Sequence, residues 1–280
     1  MFLNTSTIYS SDIEEIISHR YDNGGDLWAM PDNRLLKGAP YTTLESVLYL
    51  LEVGLPTNNS IMKDTVELIF STWQKDGRFR IFPKGAIYPC QTALALKVLC
   101  YLGFSSDSRC QKSFQYFAET QQEDGGWKCN KYSFGHGEET NYSTPYTTMV
   151  VLDALRFTDL SVTKIDISKA VDFLLQHWVI RKPISPCHYG IGSLFMQVGY
   201  PFRDYNLFYY LFVLSFYKQV KDDTRFLDAL NALKAKTVDD KIIVERVVPK
   251  LAKLSFCRKG QVSELATKRF NEILQNIENM

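Results

Sequence analysis

Four segments of the chain repeat one pattern of apolar and polar positions. They read PYTTLESVLYLLEVG, PCQTALALKVLCYLG, PYTTMVVLDALRFTD and PFRDYNLFYYLFVLS, and they start at residues 40, 89, 145 and 201. The eleventh position is Leu in every copy, the eighth is apolar, and the fourth is Thr in three copies and Asp in the last. Because positions 4, 8 and 11 share one helix face, the pattern predicts four amphipathic helices of about 14 residues, each roughly 20 Å long.

The ends of these segments carry helix-boundary residues. Every copy opens with Pro, which suits the first position of a helix because its missing N–H would be unsatisfied there in any case. Gly54 and Gly103 close the first two copies, where a left-handed residue commonly caps a helix. We therefore expect the four prolines to be the first residues of the four helices.

A second helix accompanies each of these segments. Apolar residues recur at three- and four-residue spacing in residues 61–73, 110–120, 167–178 and 224–236, and residues 263–277 supply a fifth helix of the first kind. No stretch rich in Gly, Ser or Pro divides the chain. The repeat of helix pairs therefore predicts one all-α domain over residues 1–280, an α/α toroid (a complete or incomplete α/α barrel) of about five to six helix pairs.

Short turn blocks separate the helix pairs. They read DNGGDLW at residues 22–28, QKDGRF at 74–79 and QQEDGGW at 121–127. Glycine accepts the positive φ angles of tight turns, and the aromatic residue at the end of each block can pin the turn onto neighbouring helices. We expect these blocks to stabilise the repeat rather than to react.

Composition narrows the function classes. Lys and Arg (32) nearly cancel Asp and Glu (31), so no overall field attracts nucleic acid, and contact with a membrane would be peripheral at most. The most apolar run has 8 residues, 207–214, whereas a spanning helix needs roughly 20. The six cysteines form no Cys-x-x-Cys pair, and residues 1–17 do not read as a signal peptide. These features predict a cytoplasmic protein with reduced thiols, no nucleic-acid partner and no transmembrane segment.

The QQEDGGW block, followed by a helix that opens with Pro, resembles the glutamine–tryptophan repeat of squalene–hopene cyclases, oxidosqualene cyclases and the β subunits of protein prenyltransferases. The likeness extends over about residues 20–280. It implies an α/α barrel whose inner helices surround an aromatic cavity for an isoprenoid chain, so the expected partner is an apolar small molecule. A diphosphate substrate of that kind would bring Mg²⁺ with it.

The chain departs from those families in its acids. Terpene cyclases of this class protonate their substrate with an Asp-x-Asp-Asp motif. The two nearest segments, VKDD at residues 220–223 and TVDD at 237–240, lack the leading acid. The resemblance therefore predicts the barrel and its cavity but does not predict a reaction.

It also departs in its metal ligands. Prenyltransferase β subunits hold zinc with Asp, Cys and His at the starts of inner helices. Here Cys90 starts such a helix, but Ala86 stands where the Asp is expected and residues 204–207 contain no His. Cys187-His188 is similar to the Cys-His ligand pair of lanthionine cyclases, although no spacing identifies a third ligand. We expect no zinc site, Mg²⁺ would enter only with a diphosphate substrate, and the sequence leaves open whether Cys187 and His188 bind a metal.

A polar loop, residues 134–143, leads into the third repeated helix. His136, Glu138 and Glu139 lie in it and could form an acid–base group at the mouth of a cavity, because burial raises carboxyl pKa values. The competing interpretation is a solvated loop in which Ser143 or Thr144 caps the helix.

Asp204 is the one acid in the fourth position of the repeat, and the segment around it carries eight aromatic residues between positions 202 and 217. Aromatic faces could line a cavity and stabilise a carbocation, with Asp204 as proton donor. Core packing and a favourable acid in the first helical turn explain the same residues. The predicted cavity lining comprises Tyr142, Tyr205, Phe208, Tyr209, Thr43, Thr92 and Thr148.

Three function classes fit these features. The first is an enzyme of the prenyltransferase or terpene-cyclase type, which performs acid-initiated cyclisation or prenyl transfer. The second is a toroid that binds lipid or serves as a scaffold without catalysis. The third is a polysaccharide lyase or glycoside hydrolase on the same fold, which requires an open polar groove with spaced carboxylates. The sequence does not decide between these three classes, and it does not indicate an oligomeric state.

Overall fold

The computed structural model describes residues 8–129, 142–160, 163–185 and 187–280. Within these ranges the chain is helix-rich, as the repeat predicts, and one two-stranded antiparallel ribbon accompanies the helices. The α-helices are α1 Ser10–Ser18, α2 Thr43–Glu52, α3 Ser60–Ser71, α4 Pro89–Tyr101, α5 Ser108–Thr120, α6 Pro145–Leu155, α7 Ile167–Ile180, α8 Leu207–Leu214, α9 Thr224–Lys234 and α10 Glu264–Glu278. The strands are β1 Thr237–Val238 and β2 Lys241–Ile242, and 3₁₀ turns span Lys218–Val220, Pro249–Leu251 and Ser255–Cys257.

Helix positions agree with the sequence pattern. Helices α2, α4, α6 and α8 lie within the four repeated segments, α3, α5, α7 and α9 coincide with the predicted second helices, and α10 is the fifth helix of the first kind. One contiguous cluster of buried apolar side chains extends from Ile16 to Ile273. In the part of the chain that the structure describes, no helix is both long enough and apolar enough to cross a lipid bilayer.

Proline opens two of the four repeated helices rather than all four. Pro89 and Pro145 are the first residues of α4 and α6, but α2 and α8 begin several residues after Pro40 and Pro201. The expectation was wrong for these two because other side chains cap the helices. The Thr42 hydroxyl accepts a hydrogen bond from the Glu45 amide at 3.2 Å, and the Asn206 side chain accepts one from the Tyr209 amide at 3.0 Å.

The even-numbered helices, which are the predicted inner helices, contact one another in chain order. Helix α2 contacts α4, α4 contacts α6, α6 contacts α8 and α8 contacts α10. All eight residues of α8 are buried, and so is every residue of α6 except Tyr146, as expected for helices covered on all sides. Charged side chains join the first and last members, because Arg269 Nη2 of α10 lies 2.6 Å from Glu52 Oε2 of α2. Each odd-numbered helix contacts at least one even-numbered helix.

The turn block at residues 121–127 ties three helices together. The indole N–H of Trp127 donates to the Phe117 carbonyl of α5 at 2.9 Å, and its amide donates to the Thr148 hydroxyl of α6 at 3.1 Å. The Gln121 side chain both donates to and accepts from the backbone of Asp166, which precedes α7, at 2.9 Å. Trp127 is fully buried, so this block has the anchoring role that its composition predicts.

Candidate functional site

A cavity of about 250 Å³ lies between the inner helices α2, α4 and α6 and the segment that precedes α8. Leucine and aromatic side chains make up most of its wall, among them Leu48, Leu94 and Phe202. A smaller cavity of about 40 Å³ adjoins it, and Leu48, Tyr49, Lys97 and Phe202 line both. The two spaces therefore meet at these four side chains.

The ninth position of the repeat faces these cavities. Leu48, Lys97, Asp153 and Tyr209 occupy that position in the four copies, and all four side chains line one or both cavities. Two of them, Lys97 and Asp153, are charged although both side chains are buried. An alignment of the copies shows these two charges, so the sequence contains the signal that reveals the inner face.

Asp153 is a shared acceptor at the floor of the smaller cavity. Its side chain is 1% exposed and accepts hydrogen bonds from the Tyr209 hydroxyl at 2.5 Å, the Tyr101 hydroxyl at 3.0 Å and Arg156 Nε at 3.0 Å. Burial, reinforced by the Asp153 charge, raises the pKa values of both phenols well above their ordinary range. Both tyrosines are therefore protonated donors at neutral pH.

Lys97, on α4, contacts Tyr209, which in turn binds Asp153. The residue is 4% exposed, and its ammonium donates to the Tyr209 hydroxyl at 3.1 Å, which is its one hydrogen bond among the described residues. Burial lowers the pKa of Lys97, whereas the charges of Asp153 and Glu45 oppose that shift. The ninth-position side chains of α4, α8 and α6 thus form a hydrogen-bonded row, from Lys97 through Tyr209 to Asp153.

The opposite end of the larger cavity carries an ion pair. Arg203 Nη2 lies 2.6 Å from Glu45 Oε1, and both side chains are mostly buried. The Thr42 hydroxyl donates to the second Glu45 oxygen at 2.9 Å and accepts from the Glu45 amide at 3.2 Å, so Thr42 both caps α2 and holds the Glu45 carboxylate. Tyr49, one turn further along α2, is 2% exposed, and its hydroxyl has no hydrogen-bond partner within the described ranges.

The fourth-position threonines lie on another face of the inner helices. All three are fully buried, and their hydroxyls bind the backbone of the turn blocks: Thr43 donates to the Leu27 carbonyl at 2.8 Å, while Thr92 and Thr148 accept from the amides of Phe79 and Trp127 at 3.2 and 3.1 Å. None of the three lines either cavity. We assign them to loop anchoring, which is a correction to their expected place in the cavity wall.

Asp204 does not occupy a first helical turn. It precedes α8, its side chain is 48% exposed, and it pairs with Arg246 at 2.8 Å at the edge of the larger cavity. The expected position in the first helical turn was wrong because α8 begins only after its Asn206 cap, but Asp204 does line the larger cavity together with Phe202 and Tyr205. Tyr205 and Tyr209 do line the larger and the smaller cavity, respectively.

The remaining predicted site residues lie elsewhere. Phe208 is buried against Tyr200 and Phe202 and lines neither cavity, and Tyr142 is exposed and lines neither. The acid–base group proposed from His136, Glu138 and Glu139 falls outside the described residues. Sequence reasoning did not select Lys97, Tyr49, Asp153, Glu45 or Arg203.

His177 is a buried histidine beside the larger cavity. The Lys182 carbonyl lies 3.1 Å from Nε2, which therefore carries the proton, and Nδ1 accepts from the Tyr205 hydroxyl at 2.8 Å. Burial lowers the pKa of His177 to about 4. This neutral ring holds Tyr205 in the cavity wall.

Acidification is expected to destabilise the fold through His177. Between an unfolded-state pKa near 6.5 and the folded value of about 4, the unfolded chain binds a proton that the folded chain does not, so stability falls as pH drops through this window. The free energy of unfolding should decrease by about 2 kcal/mol between pH 8 and pH 5. Urea unfolding at several pH values measures this change. A His177→Gln variant should lose most of that pH dependence, and an equally steep decrease in the variant would contradict the assignment.

Two cysteines approach each other near the cavity. The sulfur atoms of Cys90, at the start of α4, and Cys129 lie 3.3 Å apart.

Cys187 and His188 lie in the segment between α7 and α8, where His188 adopts a positive φ of 53°. No group of three or more His, Cys, Asp and Glu side chains suited to a metal ion occurs among the residues described.

Comparison with known proteins assigns no family. No family model matches the chain, and no curated protein matches it. The geometry itself defines a helical protein with a mostly apolar internal cavity, into which one lysine and several tyrosines project.

Proposed function

We propose that the helix pairs close into an α/α toroid of the terpenoid-cyclase and prenyltransferase type, and that its central cavity binds a small apolar molecule of the isoprenoid class. The successive contacts of the inner helices and the ion pair between Arg269 and Glu52 support the ring. The observation that carries the proposal is the ninth repeat position, which lines the two adjoining cavities in all four copies.

The cavity volume limits the ligand. A water molecule occupies about 30 Å³ of liquid, so a space of about 250 Å³ corresponds to roughly eight waters. A ten-carbon isoprenoid is of this size, whereas a thirty-carbon triterpene is far larger. The proposal is therefore a monoterpenoid-sized ligand and not a squalene-like one.

The carboxylates of the cavity favour binding over acid catalysis. Glu45 pairs with Arg203, Asp204 with Arg246, Asp153 with Arg156 and Glu52 with Arg269. These four are the acids that line the two cavities, and each is engaged as a hydrogen-bond acceptor rather than held as a proton donor. The same pairing disfavours a glycoside hydrolase, which needs two carboxyl groups available to the substrate. A ligand-binding toroid is thus the best-supported function, and a cyclase is the alternative.

Filling the cavity should abolish ligand binding. Leu48 lines both cavities, so Leu48→Trp places a larger side chain where the ligand is expected. Calorimetry with geraniol should show at least a tenfold weaker affinity for this variant, the equivalent of about 1.4 kcal/mol or more. Leu68→Trp on α3, whose side chain lines neither cavity, is the matched control and should bind like the wild type.

Three results would change the proposal. Equal binding by Leu48→Trp and the wild type would place the ligand elsewhere, and tight binding of squalene would contradict the size limit. Conversion of geranyl diphosphate to a cyclic or transferred product by the wild type, followed by gas chromatography with mass spectrometry, would favour the enzyme over the binding protein.

A further inference from the structure

Two side chains with unused hydrogen-bond donors, Lys97 and Tyr49, line both cavities. The Lys97 ammonium makes one hydrogen bond, to Tyr209, which leaves two N–H groups unused by the described residues. The Tyr49 hydroxyl makes none, although it is nearly completely buried. Buried polar groups are almost always hydrogen-bonded in folded proteins, so unused donors on side chains that line a cavity favour a ligand that binds there.

Lys97 also differs from the other cations of the cavity wall. Arg203 is paired with Glu45, and Arg269 is paired with Glu52 at 2.6 Å. Lys97 has no carboxylate within ion-pair distance in the described part of the chain; its contact is a neutral phenol. Asp153 lies beyond that phenol, and its oxygens are already taken by two tyrosines and Arg156.

We propose that the cavity binds an apolar molecule that carries a single carboxylate, which accepts hydrogen bonds from Lys97 Nζ and Tyr49 Oη. A carboxylate presents two acceptor oxygens and one negative charge, which matches two donors of which one is a cation. A diphosphate carries more negative charge than one ammonium offsets, and an amine would place a second cation beside Lys97. This inference rests on the proposed function and specifies its ligand as a small isoprenoid-type acid.

The carboxylate can be tested with three ligands that share one ten-carbon chain. Geranic acid, geraniol and geranylamine differ only at the polar end, and their affinities for the full-length protein can be compared by calorimetry at pH 7. Geranic acid should bind at least about tenfold more tightly than geraniol, because a hydrogen bond to a charged group is stronger than one to a neutral group. Geranylamine should bind more weakly than geraniol.

The outcomes separate this inference from the proposed function. Equal affinities for geranic acid and geraniol would overturn the carboxylate site and leave the apolar binding cavity standing. Tighter binding of geranylamine than of the acid would also overturn it. If none of the three ligands binds, both the cavity function and the carboxylate site are wrong.

Two variants test the individual donors. Lys97→Met should reduce the affinity for geranic acid about 10- to 100-fold and the affinity for geraniol by less, because only the acid loses an interaction between two charges. Tyr49→Phe should reduce the acid affinity about tenfold and leave the ligand-free protein as stable as the wild type or more so, because it removes an unpartnered buried hydroxyl. This second variant keeps the test decisive if the first one fails to fold.

Ser46→Ala is the matched control for Tyr49→Phe. Ser46 lies on the same helix, its hydroxyl is also buried without a partner among the described residues, and it lines neither cavity. It should bind geranic acid like the wild type. Unchanged acid affinity in Tyr49→Phe, or an equal loss in Ser46→Ala, would overturn the assignment of Tyr49 to the carboxylate.

Discussion

Replacement of Asp153 by Ala is expected to destabilise the protein by about 3–5 kcal/mol, because the change leaves a buried cation without its partner. Asp153 accepts hydrogen bonds from Tyr101, Tyr209 and Arg156, and the Arg156 side chain is only 11% exposed. The substitution removes the acceptor that three donors share. It also leaves Tyr209, which accepts a hydrogen bond from Lys97, without its own acceptor. Chemical unfolding monitored by circular dichroism measures the change.

Asp32→Ala provides the comparison for Asp153→Ala. Asp32 also pairs with an arginine, Arg34, at 2.8 Å, but its side chain is exposed and the pair is solvated. Ion pairs of this kind contribute little to stability, so the unfolding midpoint should hardly move. If Asp153→Ala lost no more stability than Asp32→Ala, Asp153 would not be the acceptor on which the three donors depend.

The positions of the helices could be read from the sequence, but two of their starts could not. Leu at the eleventh position and apolar residues at the eighth repeat in every copy, and the helices appear where this period places them. The starts of α2 and α8 depend instead on which side chain reaches the first free amides. Thr42 and Asn206 do so, and the prolines before them lie outside the helices.

The inward face of the repeated helices was misjudged for a physical reason. Helices α6 and α8 are buried almost all round, so apolar periodicity cannot distinguish the side that meets the cavity from the side that meets the outer helices. Thr148 was expected to face inward, yet it binds the turn block. The buried charges of Lys97 and Asp153 are the better indicator, because a charge in a covered helix needs a specific partner.

A single sequence does not show which side chains contact these buried charges. Lys97 and Tyr209 are 112 positions apart, and the Arg269–Glu52 contact that joins the last inner helix to the first spans 217 positions. Neither pairing follows from local spacing. The Tyr49 hydroxyl lacks a partner among the described residues because of the way the helices pack, which local spacing does not show either. This hydroxyl is one of the two donors proposed for the carboxylate ligand.

Gly125→Ala is expected to be as damaging as the loss of Asp153, although it adds only one methyl group. Gly125 has a φ of +89°, and a Cβ atom there would lie 2.4 Å from the Lys169 carbonyl carbon and 2.5 Å from its oxygen. That backbone belongs to α7 and cannot move without the helix. Left-handed strain of about 1–2 kcal/mol and overpacking of about 1–3 kcal/mol together give a loss of about 2–5 kcal/mol.

Gly103→Ala separates the two contributions to that loss. Gly103 has nearly the same φ, +91°, but a Cβ there meets nothing within 4 Å. This variant should lose only the backbone strain, about 1–2 kcal/mol, in the same urea titration. The difference between the two variants measures how rigidly the turn block is held against α7. Equal losses would mean that the block yields to the added methyl group, in which case it would not clamp the outer helix to the helices that enclose the cavity.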